Sequence, residues 1–517
     1  MNLLPRLSWS LFAPSELTRL RRRFDVTCEV DPESHGEAVR RAYECRPDLR
    51  EAFPLAYTPV QREAFAVWLF DRGRPDLGLT DQDIFGFLER CRRDPSQGLA
   101  ETWKLSPSWQ QQWPAALTFE WDTFRSTVAK QFNINARWLR RAKRPRGEPL
   151  LPFGVNILAH FRYPSGLQEE AVQYAHAIRA HSGGVSLRDA PVGFPREPRK
   201  TDEYLGDECY PITIAKLGVC ESFDDQYPLT GWHPRLGVYR IAAWSWELAM
   251  LPRHVAGKAD LADEIWTPSE FCAAAVRDAF PEKTVTAMLP AVSLPTFMPR
   301  TRSHFGLPAG FLFFFAFDIG SVMERKNPLG LIRAFEQAFQ GDDRVHLAIK
   351  VTRGETKPAE LLKLKAAARG ANVTILDAVL PREELTALLD CCDCYVSLHR
   401  AEGFGFTIAE AMLLGKPTIA TGYSANTEFM TDVTAMSVKY ELVKIGPSQE
   451  PYPPDAVWAE PDLDHAAALM RRVYQHTPDA QAMGQRAKAA ATQLLSPQAA
   501  GVRMMKRLNE ISNDNHR

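Results

Sequence analysis

The stretch from Cys394 to Met430, CYVSLHRAEGFGFTIAEAMLLGKPTIATGYSANTEFM, admits few folds. Tyr395-Val396-Ser397-Leu398 is a short apolar, β-branched run of the kind that makes a buried parallel strand. A loop from His399 to Gly405 follows, with Gly403 and Gly405 on either side of Phe404. Ile408-Ala409-Glu410-Ala411-Met412-Leu413-Leu414 then has a helical pattern, which stops at Gly415 ahead of Pro417. Thr418-Ile419-Ala420-Thr421 supplies a second strand. A strand–loop–helix–strand unit of this kind belongs to an α/β layer.

The loop is suited to an anion. Glycines let a ligand approach the backbone, and free N–H groups at a helix start attract phosphate. Glu402 stands just before the helix, and Glu410, eight residues on, lies about two turns deep on roughly the same face. A carboxylate there can accept hydrogen bonds from both hydroxyls of a ribose. Glycine spacing alone would suit a βα turn in any Rossmann-like domain. The glutamate pair is more particular: EGFGFTIAE, preceded by SLHR and followed by AMLLGKPTIAT, resembles the E-x7-E signature of retaining GT-B glycosyltransferases of the family 4 group. The resemblance implies two facing Rossmann-like domains with a nucleotide-diphosphate sugar between them. Glu410 would hold the ribose, the N–H groups of Gly403, Phe404, Gly405, Phe406 and Thr407 the diphosphate, and Glu402 the donor sugar. His399 and Arg400 belong to the same donor loop.

At 517 residues the chain exceeds one ordinary core, and three structural units are expected. Lys+Arg 62 against Asp+Glu 63 leaves a net charge of −1, so no global attraction to nucleic acid is implied. No run approaches the apolar length of a membrane span, and the N-terminus lacks the continuous apolar region of a signal peptide. The nine cysteines form no disulfide framework, and Cys391, Cys392 and Cys394 have no second Cys/His pair at zinc spacing. A cytoplasmic protein is expected.

Residues 1–150 read as a helical domain. Thr58-Pro59-Val60-Gln61 has the form of a capping box, and Thr80-Asp81-Gln82-Asp83 and Ser106-Pro107-Ser108-Trp109 mark two more helix starts. Phe65, Trp68 and Leu69, then Ile84, Phe85 and Leu88, recur at helical spacing. Trp103, Trp109, Trp113, Trp121 and Trp138 read as the core of this domain. Two basic runs, Arg19 to Arg23 and Arg137 to Arg146, read as a solvated helix face and a charged linker. The alternative is peripheral contact with anionic lipid on the inner face of a membrane, about 1 kcal/mol per basic residue.

Gly154 to His160 reads as the first parallel strand, and Phe161 to Glu170 as a loop entering a helix. This resembles the first loop of the N-terminal GT-B domain, with Ser165 and Gly166 placed for diphosphate but Gln168 where a second glycine is common. Trp244-Ser245-Trp246-Glu247-Leu248 and DEIWTPSEF resemble a stretch of bacterial polysaccharide members. His160, Trp246 and Glu247 are acceptor-side candidates at strand ends, with a purely structural role as the other reading.

Leu312 to Phe317 is a strand buried on both faces, followed by the loop Asp318 to Lys326 and a helix from Asn327. Phe317 to Pro328, FD-x-x-S-x-x-x-RKNP, again resembles family 4, where the lysine matching Lys326 neutralises the departing diphosphate. Several members carry an arginine where this chain has Gly320, so Arg325, Lys350 or Arg400 is left to supply that charge. The catalytic candidates are Glu402, Lys326 and Arg325.

The expected architecture is α/β: a helical domain over 1–150, an acceptor-side Rossmann-like domain over 151–300, a nucleotide-sugar domain over 301–495, and a helix over 496–517 packing back across the cleft. The expected activity is retaining glycosyl transfer to a glycan, lipid-linked or protein acceptor, in the setting of bacterial surface polysaccharide or glycoconjugate synthesis. The donor is a co-substrate, and neither a cofactor nor a metal is expected. Two other readings stay open: a nucleotide-sugar epimerase or phosphorylase of the same fold, and a degenerate transferase that serves as a scaffold.

Overall fold

The computed structural model describes residues 16–514 apart from 28–34, 114–115, 118–120, 135–137, 139–149, 152, 164, 193–203, 205, 220, 231, 233–236, 256 and 448. The basic run from Arg137 to Arg146 lies outside the described residues. Two compact units are present. One draws on 1–151, 187–209 and 223–236; the other on 152–186, 210–222 and 237–517.

The first unit is built on helices, the longer ones being Glu16–Phe24, Glu37–Cys45, Asp81–Arg93, Pro95–Lys104 and Trp121–Gln131. Thr80 caps Asp81–Arg93 at the helix start its sequence marks, and does so with a reciprocal box: the Asp83 carboxylate accepts the Thr80 N–H at 2.9 Å. Thr58 behaves differently. Its helix starts four residues later, at Arg62, because the Thr58 hydroxyl donates to Leu55 O at 2.9 Å and Gln61 Oε1 accepts the Leu55 N–H at 2.7 Å. These bonds close a turn where a cap was expected. The five tryptophans are buried in one cluster with Phe124, so the aromatic stripe is core. A buried ion pair, Glu44 to Arg188 at 2.9 Å, lies inside the same unit.

The second unit contains two six-stranded sheets, apart from residues 187–189 of the first sheet, which fall in the first unit. The strands of the first are β1 (Val155–Ala159), β2 (Val185–Asp189), β3 (Ile212–Lys216), β4 (Tyr239–Ala243), β5 (Glu264–Thr267) and β6 (Thr284–Ala287), in the order β2-β1-β3-β4-β5-β6. Strands β1 and β3 to β6 run parallel. The second sheet has β7 (Phe311–Asp318), β8 (Val345–Thr352), β9 (Val373–Asp377), β10 (Cys394–Ser397), β11 (Thr418–Thr421) and β12 (Met436–Val438), ordered β12-β11-β10-β7-β8-β9 and all parallel. The central β7, FLFFFAFD, is buried from Leu312 to Phe317, as a strand covered on both faces must be. An antiparallel hairpin, β13 (Tyr440–Lys444) with β14 (Val457–Pro461), follows.

The helix Pro497–Asp514 leaves the second sheet and packs against Gly166–Arg179 of the first. Arg503 donates to Leu289 O at 3.1 Å, and Arg507 reaches Glu264 of β5 at 2.8 Å. The chain thus crosses twice between the two sheet domains. Among the described residues no helix is long and apolar enough to cross a membrane.

Candidate active site

In parallel α/β sheets the carboxyl ends of the strands and the loops beyond them make the ligand crevice. Here β10 delivers the loop from Leu398 to Gly405 and the helix Phe406–Leu413. Gly405 has φ +95°, a conformation that strains any residue with a Cβ, and it turns the chain into the helix. The backbone N–H groups of Gly403, Phe404, Gly405, Phe406 and Thr407 have no hydrogen-bond partner among the described residues. The loop is seated by the opposite sheet domain: a Cβ on Gly403 would stand 3.1 Å from Trp246 O, and Ser269 donates to Gly403 O at 3.2 Å. Glu428 of the second domain accepts the N–H groups of Glu270 and Phe271 at 3.0 Å each.

Beside this row of N–H groups stand four alternating charges. The Lys326 ammonium closes on Glu402 Oε1. Arg325 donates to Ala401 O at 2.9 Å, lies 3.4 Å from Glu402 Oε2, and lies 3.4 Å from Glu247 Oε1. Burial alone would push the Glu402 carboxyl up, but Lys326 and Arg325 outweigh it and hold it at about 2. Glu402 is therefore ionised at neutral pH. Burial, with Arg325 beside it, lowers Lys326 below the ordinary lysine value, while Glu402 works the other way. The backbone is bent to make this site: Val322, just before the short helix Met323–Lys326, has φ +61°, an outlier for a β-branched residue.

Glu410 lies in the second turn of the helix, buried, with Arg382 on its Oε1. Burial raises its carboxyl above the ordinary value, and Arg382 opposes that. Ser165 caps the helix Gly166–Arg179 through the Gln168 N–H at 3.2 Å, and a Cβ on Gly166 would meet open space. Gln168, standing where a second glycine was considered, ties the loop back by donating to Phe161 O at 2.7 Å.

The other candidates are committed to the protein itself. His399 has both ring nitrogens engaged, one with Ser397 Oγ at 3.0 Å and one with Asn426 Oδ1 at 3.0 Å, and burial lowers its pKa. Arg400 is tied to Glu460 at 2.6 Å and stacks over Trp458. His160 meets Glu221 at 3.2 Å. The Trp246 indole donates to Met250 O at 2.9 Å, and its ring packs edge-on against Tyr452. Glu247 faces the charge row and also accepts from the Tyr452 hydroxyl at 3.2 Å. Of the three residues considered for the missing charge, Lys350 differs from Arg325 and Arg400 in touching no carboxylate among the described residues; its ammonium donates to Thr352, and burial lowers it to about 8.

Sequence reasoning missed Arg382, Tyr452 and the seating contacts of Ser269 and Glu428. Arg382 follows β9 at the start of a helix, a position at the ligand end of the sheet, but its partners come from distant segments. Tyr452 sits in the connection between β13 and β14, and its partners Trp246 and Glu247 lie some 205 positions earlier.

The fold is GT-B, two Rossmann-like sheet domains facing across a cleft, with a helical region besides. It is similar to sucrose-phosphate synthase from Thermosynechococcus elongatus, at 15% identity, covering 69% of this chain and 99% of that one, with a TM-score of 0.50. A glycosyltransferase from Rickettsia africae ESF-5 is similar at 12% identity over 70% of this chain and 99% of that one, TM-score 0.49. HepE from Anabaena, solved with UDP and glucose, is similar at 14% identity over 69% and 100%, TM-score 0.46. Residues 316–443 match the family model of group 1 glycosyl transferases, a span holding Arg325, Lys326, Glu402 and Glu410. Over that span the chain carries a group 1 glycosyltransferase domain.

Proposed function

We propose that this chain transfers a sugar from a nucleotide-diphosphate sugar to an acceptor hydroxyl, with retention at the anomeric carbon. The observation that carries the reading is the row of N–H groups from Gly403 to Thr407, unpartnered among the described residues, beside Lys326, with Glu410 in the second turn of the helix that follows. A diphosphate against those N–H groups would set its ribose toward Glu410 and its sugar toward Glu402. As the glycosidic bond to the diphosphate breaks, negative charge grows on the leaving oxygen. Lys326 and the N–H groups are fixed donors for that charge, which is the role a metal fills elsewhere; the reading is of a metal-independent enzyme. Glu402, ionised and held by two cations, is suited to accept hydrogen bonds from sugar hydroxyls and not to donate a proton.

Glu247 and Trp246 make the acceptor side of the reading. The acceptor class is a glycan, a lipid-linked sugar or a protein, in surface polysaccharide or glycoconjugate synthesis, with peripheral membrane contact a further part of the proposal.

The test is a thermal-shift screen of UDP-, GDP- and dTDP-sugars against wild type and Glu410→Ala. A donor at about 100 times its Kd stabilises the fold by about 2.7 kcal/mol. One donor should stabilise the wild type and not the variant. Equal responses from both would remove Glu410 from the site, and no response to any donor would leave the scaffold reading. Anomeric analysis of the transfer product by NMR then decides retention.

A further inference from the structure

Arg382 is the first residue of the helix Arg382–Asp390, which follows β9 in the second sheet domain. Its Nη2 lies 3.1 Å from Glu169 Oε1 and also closes on Glu410 Oε1. Glu169 belongs to the first turn of Gly166–Arg179 in the first domain; Glu410 belongs to the second. One guanidinium nitrogen thus joins a carboxylate from each side of the cleft.

The two members on the second domain differ in access. The Glu410 side chain is 4% exposed and that of Arg382 28%. Only one oxygen of Glu410 is taken, since its Oε2 accepts no hydrogen bond among the described residues. A ribose offers two neighbouring hydroxyls, and a carboxylate that receives both uses both of its oxygens. The diol therefore finds one oxygen open and the other held by a cation that itself reaches solvent.

We propose that Arg382, anchored by Glu169, is a positioning residue of the nucleotide pocket: it holds the Glu410 carboxylate and yields it to the ribose hydroxyls of a nucleoside diphosphate. The proposal rests on reading Glu410 as the ribose carboxylate. A ligand that must displace a resident partner binds with an affinity reduced by the fraction of molecules in which the carboxylate is free. The bridge is such a partner, and it also ties the two domains together until the nucleotide arrives. Selection follows. A ribonucleotide brings two donors to exchange for the arginine, whereas a 2′-deoxyribonucleotide brings one.

The experiment is titration calorimetry of UDP, GDP and ADP, and of their 2′-deoxy counterparts, against wild type, Arg382→Ala, Glu169→Gln and Glu410→Ala. Arg382→Ala should bind the preferred ribonucleoside diphosphate about threefold or more tightly than wild type does. The preference for ribose over 2′-deoxyribose should narrow in the same variant. Glu169→Gln, which loosens the anchor from the partly exposed end, should move both quantities the same way by less, and it stands in for Arg382→Ala should that variant not fold. Unchanged or weaker binding by both bridge variants overturns the inference while leaving the site intact, provided that Glu410→Ala still loses the nucleotide. If Glu410→Ala binds as wild type does, or if no protein binds any nucleotide, the donor-site reading falls and the inference with it.

Discussion

Arg507 closes on both carboxylate oxygens of Glu264, at 2.8 Å from Oε2 and 3.1 Å from Oε1, deep in the first sheet. Glu264 has no exposed surface, and Trp266 Nε1 and the hydroxyls of Thr286 and Tyr239 complete its shell. A buried carboxylate needs its cation, because the charge is costly to bury alone. Arg507 is the only cation on it that the structure shows among the described residues, and it comes from the helix Pro497–Asp514.

Arg507→Ala should therefore cost about 1.5–3 kcal/mol, the range for hydrogen bonds to a charged group. The three neutral donors remain and limit the loss. Calorimetric melting of wild type and variant measures it, and hydrogen exchange should show earliest opening in Pro497–Asp514. An unchanged Tm would mean that the helix is held by its apolar face alone.

Lys326→Ala should leave the fold in place and lower the transfer rate by about 10²–10³, the scale set by removing one fixed donor from a developing anion. Steady-state kinetics with the donor found by thermal shift gives the number. A loss confined to KM would assign Lys326 to ground-state binding only.

Glu402 carries a pH signature. Its folded pKa of about 2 lies below the ordinary 4.5. A depressed carboxyl stabilises the fold above the unfolded value, and that contribution disappears as pH falls from about 4.5 toward 2. The span corresponds to about 3 kcal/mol at most. Urea titrations across that window should give a steeper loss of stability in wild type than in Glu402→Gln, which has nothing to titrate there. Parallel slopes would count against the ion pairs with Lys326 and Arg325.

Gly405→Ala should destabilise by about 1–3 kcal/mol, since φ +95° strains an alanine. It should also reduce nucleotide affinity, because the N–H groups that follow Gly405 lose their alignment. Chemical denaturation and titration calorimetry on the same preparation separate the two effects.

Much of the donor side could be read from the chain because its determinants are local. FTIAEAMLLG carries its own helix and its own stop, and Gly415 does have the left-handed φ, +76°, that ends Phe406–Leu413. The apolar runs of β7 and β10 announce strands buried on both faces. Residues whose environment depends on distant segments were opaque. Nothing in PREELTALLD tells that Arg382 reaches Glu169 across 213 positions of sequence. His399 and Arg400 sit inside the motif loop, yet the partners that occupy them, Asn426 and Glu460, lie 27 and 60 positions further on. Thr58 shows the same limit on a short scale: a hydroxyl that can cap a helix can equally close the turn before it.

The return of Pro497–Asp514 to the first sheet also orders events in time. The strand bearing Glu264 leaves the ribosome some 243 residues before its cation does. Until Arg507 emerges, no cation among the described residues stands on that carboxylate, so the packing around it is completed only after the second domain has been synthesised. The two halves of the cleft are then finished together, and a nascent chain arrested between them would carry an incomplete first half.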